Sequence, residues 1–114
     1  MLRFAISSRR MKLTEPIRQH LCDRLAAALD RHEAHVRCVD VTLADTNGPK
    51  GGVDKDCQVT VHLRRGGIVR VRETGEDLYA TVSHAADKVK RSAGRLLNRR
   101  RWPRSTRASG LAGT

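Results

Sequence analysis

The stretch "VRCVDVTL", residues 36–43, carries the pattern on which the fold turns. Val39, Val41 and Leu43 alternate with Cys38, Asp40 and Thr42, the period of a strand with one dry face and one wet face. The segment "CQVTVHL", residues 57–63, repeats this, setting Cys57, Val59, Val61 and Leu63 against Gln58, Thr60 and His62. Strands with one apolar face need a cover, and the flanking sequence supplies it from both sides.

Upstream, "LRFAI" (residues 2–6) alternates Leu2, Phe4 and Ile6 with Arg3 and Ala5 and predicts another strand. Thr14 then stands as an N-cap, with Glu15 and Pro16 in the first helical turn. Ile17, Leu21, Leu25, Ala28 and Leu29 recur at helical spacing, while Arg18, Asp23, Arg24, Asp30 and Arg31 face away, and the helix fades at His32 to His35. Downstream of the second strand, "RRGG" closes a hairpin into "IVRVRET" (residues 68–74), with Val69 and Val71 opposed to Arg70 and Arg72. Glu76 or Asp77 starts a last helix whose apolar face is Leu78, Val82, Ala85, Val89, Ala93 and Leu96. Between the two central strands, "ADTNGPKGGVDKD" reads as a mobile loop. The order β-α-β-β-β-α predicts an α+β two-layer sandwich, a four-stranded sheet with two helices on one face. Residues 1–101 make one domain, and residues 102–114 are expected to be a basic, disordered tail that Pro103 cuts from the helix.

Charge is unevenly spread. Residues 1–87 carry 14 Lys or Arg against 12 Asp or Glu, whereas residues 88–114 carry nine against none. On the last helix His84, Lys88, Arg91, Arg95 and Arg99 fall on a flank separate from the apolar face, and Arg100 and Arg101 extend it. A solvated helix face normally mixes both signs to gain i,i+4 pairs, so a flank of one sign points to a polyanion, with RNA phosphates foremost. Asp87 reads as structural, or as orienting a neighbour such as Arg91. Arg9, Arg10 and Lys12 add cations after the first strand. Arg3, His62, Arg64, Arg70 and Arg72 offer a second surface on the outer face of the sheet, where Asp40 and Glu73 are available as partners.

Aromatic residues are few: Phe4 reads as core, Tyr79 as a packed residue at the helix start, and Trp102 as either a stacking or a capping group. Single-strand binders stack bases on exposed rings, so this composition favours folded RNA read through backbone and shape. No apolar run approaches the ~20 residues of a membrane span, and "MLRFAISSRR" is too short in apolar residues for a signal peptide. Cys22, Cys38 and Cys57 read as reduced, buried thiols of a cytoplasmic protein. The spacing of His32, His35 and Cys38, with His20 and Cys22 nearby, crosses from a helix end into a strand and lacks a second Cys pair, so no metal is expected. "NGPKGG" lacks the strand-to-helix setting of a phosphate loop. Neither catalysis nor a cofactor nor a small-molecule substrate is expected.

The segment "EDLYATVSHAADKVKRSAGRL", residues 76–96, resembles the ribosome hibernation promoting factors, also described as ribosome-associated inhibitors or sigma-factor modulation proteins. Asp77, Tyr79, Asp87, Lys88, Arg91 and Arg95 stand in that family's pattern, Arg9 matches its Arg after the first strand, and Thr14 its helix start. The resemblance runs from residue 1 to about 101. Ser8 replaces a common Gly, Ser83 replaces a usual Asp, and the loop at residues 47–53 is unusually rich in Gly. The resemblance implies binding to the small ribosomal subunit and its rRNA, in the cleft between head and body, across the positions of mRNA and the tRNA anticodon ends. Such binding silences translation and protects idle ribosomes. The chain is similar to the short form of the family and is expected to be monomeric off the ribosome. Two other classes compete. One is a general basic RNA- or DNA-binding module resembling a double-stranded RNA-binding domain, and the other is a regulator that contacts an acidic protein.

Overall fold

The alternating segments form strands β1 (Phe4–Arg9), β2 (Val36–Asp45), β3 (Lys55–Leu63) and β4 (Ile68–Gly75). The two amphipathic stretches form α1 (Glu15–Leu29) and α2 (Leu78–Thr106), with a 3-10 turn over Asp30–His35 after α1. This computed structural model describes residues 2–46 and 54–106, with side chains as far as Asn98. The predicted α+β order holds, in a sheet whose strands lie in sequence order. β1 is parallel to β2, and the other neighbours are antiparallel. A parallel pair needs a crossover, and α1 is that crossover.

The dry faces of the strands meet the helices. Val39, Val41 and Leu43 of β2 and Val59, Val61 and Leu63 of β3 are buried with Leu21, Leu25 and Leu29 of α1 and Val82, Val89 and Ala93 of α2. In the later part of α2 the fully buried leucine is Leu97, whereas Leu96 is only partly covered. β2 and β3 extend to Asp45 and from Lys55, so each takes residues that the sequence reading gave to the loop, while residues 47–53 lie outside the described residues. α2 continues to Thr106, three residues beyond the expected stop at Pro103, which has no N–H to offer the Arg99 carbonyl. Residues 107–114, the rest of the expected tail, lie outside the described residues.

Thr14 caps α1, its Oγ1 accepting from the Ile17 N–H at 3.4 Å, and Asp77 starts α2, its Oδ1 accepting from the Tyr79 N–H at 3.3 Å. The helices run side by side in the same direction: His20 meets Tyr79 and Ser83, Arg24 approaches Asp87, and His32 faces Gly94. A methyl group at Gly94 would sit 4.0 Å from His32 Nε2, an ordinary contact. Glycine inside a helix costs about 1 kcal/mol relative to alanine, so Gly94→Ala is expected to stabilise the domain by about 0.5–1 kcal/mol, read as a higher urea midpoint.

Tyr79 departs from expectation. It is 42% exposed, and its ring leans edge-on against His20 with centroids 4.8 Å apart. Nor are all the thiols buried: Cys57 is, but Cys22 and Cys38 are half-exposed. Burial pushes the Cys57 thiol up to about 12, with smaller contributions from Asp56 and Glu73. At pH 8 that leaves roughly one thiolate in ten thousand. Alkylation of the native chain at that pH, followed by peptide mass spectrometry, should therefore modify Cys38 while sparing Cys57 until urea is added. The unfolded thiol ionises near 9 and the folded one near 12, so Cys57 draws stability down as pH rises across that window.

Candidate nucleic-acid interface

β4 is an edge strand, and α2 packs across the covered face of the sheet beside it. One flank of α2 therefore emerges along the β4 edge. Arg70, Val71 and Arg72 of β4 and Lys88, Arg91, Ser92 and Arg95 of α2 line a single open cleft of about 390 Å³. The sequence presents the helix flank and the outward strand arginines as two surfaces, and the fold joins them into one.

The five cations of this cleft are not equivalent. Arg72 grips Asp56 with both arms, Nε lying 3.1 Å from each carboxylate oxygen and one terminal nitrogen 2.8 Å from Oδ2. The Asp56 side chain is only 8% exposed, and this hydrogen-bonded pairing raises the Arg72 guanidinium further above its ordinary value. Lys88 Nζ lies 3.2 Å from Glu73 Oε2 and donates to the Arg72 carbonyl at 3.4 Å, strapping α2 to β4. Glu73 thus serves the helix rather than an outward strand base. Asp87 does not orient Arg91: its carboxylate lies 3.8 Å from Arg24 of α1, on the opposite flank. Arg70, Arg91 and Arg95 remain. All three are exposed, and among the described residues none forms an ion pair. Three neighbouring like charges without a counter-charge repel one another, and an anion in the cleft relieves that repulsion.

Arg9 and Arg10 occupy the far edge of the sheet. Arg9 ends β1 and Arg10 follows in the left-handed region at φ 59°. They line a second cleft of about 470 Å³ with Thr42, Ala44, Asp45, Thr46, Asp56 and Gln58, so two carboxylates share it. Lys12 is exposed in the same loop without lining that cleft. Two strands separate this group from the α2 row, and the fold does not merge them. The side chains of Arg99, Arg100, Arg101 and Trp102 lie outside the described residues, though the α2 backbone runs through all four positions. His32, His35 and Cys38 do not gather into a ligand set among the described residues.

The residues that sequence reasoning undervalued are Arg70 and Asp56. Arg70 joins the helix row only because β4 is the edge beneath α2. Asp56 neutralises Arg72 only because Gln58 pairs with Arg72 in the register, placing Asp56 one diagonal away on the same face.

Comparison with known proteins agrees with this architecture. The chloroplastic ribosome-binding factor PSRP1 of Spinacia oleracea is 26% identical over 97 residues, covering 83% of this chain and 32% of that protein. The ribosome hibernation promotion factor of Deinococcus radiodurans is 27% identical over 96 residues, covering 84% of this chain and 49% of its own. The chain thus spans about a third and about half of the length of these two curated relatives. Among solved structures, the Thermus thermophilus Protein Y N-terminal domain superposes with a TM-score of 0.69 at 26% identity, covering 84% of this chain and 99% of that one. A ribosomal subunit interface protein from Coxiella burnetii, 13% identical, shares the fold with a TM-score of 0.71 over 86% of this chain and 99% of its own. A family profile described as Sigma 54 modulation protein / S30EA ribosomal protein matches residues 4–101, and the chain belongs to that family.

Proposed function

We propose that this chain binds the small ribosomal subunit through its rRNA, in the cleft between head and body, and silences translation while protecting idle ribosomes. The observation that carries the reading is the trio Arg70, Arg91 and Arg95, three exposed cations without a described counter-charge, brought to one cleft by β4 and α2. In this role the trio contacts phosphates, Lys88 strengthens the field from its strap to Glu73, and the sequence adds further positive charge at Arg99, Arg100 and Arg101. Arg9, Arg10 and Lys12 make a second contact at the opposite edge of the sheet. The role is one of occupancy, without a catalysed reaction, cofactor or small-molecule substrate, and it is exercised in the cytoplasm by a chain that is monomeric off the ribosome. No described helix is long and apolar enough to cross a membrane. The names of the relatives, a ribosome-binding factor and a hibernation promotion factor, support a ribosomal target.

Co-sedimentation with purified small subunits at physiological salt, in a large excess of bulk tRNA and duplex RNA, tests the proposal. Stoichiometric pelleting with the small subunit is expected. Loss of the protein to the competitor would overturn the ribosomal assignment and leave a charge-driven RNA-binding module.

A further inference from the structure

The open face of the sheet carries Ala, Ser, Thr and Gln beside Arg9, Arg70, Arg72 and Asp56, and at one place it gathers a thiol, a carboxylate and an imidazole. Cys38 lies directly opposite His62 in the β2–β3 ladder, and Asp40 lies two residues along β2 on the same face. One ligand atom from each lies within 4.8 Å of the others, and His62 Nε2 is 2.8 Å from Asp40 Oδ2.

The backbone explains why Cys38 is there. Val36 faces the core, and strict alternation would turn Cys38 inward beside it. The ladder slips between Val36 and Cys38, so two residues of β2 oppose one step of β3. Val36 and Val39 are both buried, and Cys38 is carried outward to meet His62. Bulges that re-aim a side chain are over-represented next to functional sites of sheets. The two strands flanking the cluster are paired on both sides, which gives it a stiff base.

We propose that Cys38, Asp40 and His62 form a site for a divalent transition-metal ion of the zinc class, on the sheet face opposite the helices and separate from the arginine cleft. Thiolate and imidazole together select a borderline-soft ion over calcium or magnesium, and the carboxylate adds a third donor. Bonds of about 2.0–2.3 Å in tetrahedral geometry place ligand atoms about 3–4 Å apart, so the three groups need only small rotamer adjustments, with Asp40 and His62 opening their mutual hydrogen bond slightly. Three protein ligands leave a fourth position to water. The site stands independently of the ribosomal reading.

Titration of the reduced chain with Co²⁺, followed by the thiolate-to-metal charge-transfer band and the visible bands of tetrahedral cobalt, tests this. One Co²⁺ per chain, displaced by Zn²⁺, is expected. The charge-transfer band should vanish in Cys38→Ser, and affinity should fall at least tenfold in His62→Gln and in Asp40→Asn. Circular dichroism of each variant guards against loss of fold, which this outward position does not threaten. Absence of the band in the parent chain, or its persistence in Cys38→Ser through Cys22 or Cys57, would overturn the site and leave the Asp40–His62 contact as a surface hydrogen bond.

Discussion

Replacing Arg91 and Arg95 together with Gln is expected to weaken binding to small subunits about 10- to 100-fold at physiological salt, and to lower the slope of log affinity against log salt by about two. The reason is geometric as well as electrostatic. Both guanidinium groups reach the cleft from one flank of α2, and no described carboxylate attenuates them. Co-sedimentation over a salt series measures both quantities. Lys90→Gln combined with Arg18→Gln removes the same charge outside the cleft, since Lys90 lines the groove between the helices and Arg18 is paired with Glu15. Equal weakening by this control would show that net charge alone matters and would sink the cleft assignment. Arg72 is a poor probe of the same question. Removing it leaves the nearly buried Asp56 carboxylate without its partner, so its variants should lower the melting temperature more than Arg70 variants do.

Leu43→Ala should cost about 2–5 kcal/mol, a large share of the total stability of a domain this size. Leu43 is fully buried on β2, between Ser8 of β1 and Cys57 of β3 in the ladder, and its dry face looks into the helices. Urea unfolding measures the loss. A change under about 1 kcal/mol would mean that the helix layer collapses into the vacated volume and is less tightly packed than the burial of Leu21, Leu25 and Val89 implies.

The layers were legible because two periodicities were clean. Val39, Val41 and Leu43, and again Val59, Val61 and Leu63, declare one dry face without ambiguity, and Ile17 to Leu29 declare the stripe that covers it. The basic row on α2 followed from the same arithmetic. The pairing of charges was not legible, because it depends on register and on helix direction. Glu73 and Lys88 meet across 15 residues of sequence, and Arg24 and Asp87 meet only because the helices run parallel. The cluster of Cys38 with His62 was hidden for the same reason: alternation puts both on the wet face, but only the β2–β3 register sets them opposite each other. Leu97, rather than Leu96, completes the core: the two stand about 100° apart on opposite sides of the apolar face, and Leu97 is on the side that is covered.

The single parallel ladder has a consequence for how the molecule opens. β1 is bonded on one side only, to β2, and its partner is reached through the whole of α1. β2, β3, β4 and α2, by contrast, are consecutive in the chain and interlock through hairpin neighbours. Amide protons of β1 should therefore exchange with solvent sooner than those of β3, through partial detachment that leaves the rest intact. Arg9 and Arg10 ride on the end of that loosely held strand, while Arg91 and Arg95 ride on a helix anchored by Val89 and Ala93. Two-point attachment to a large target would then pair one compliant contact with one stiff contact, letting the protein seat its helix first and settle its edge afterwards.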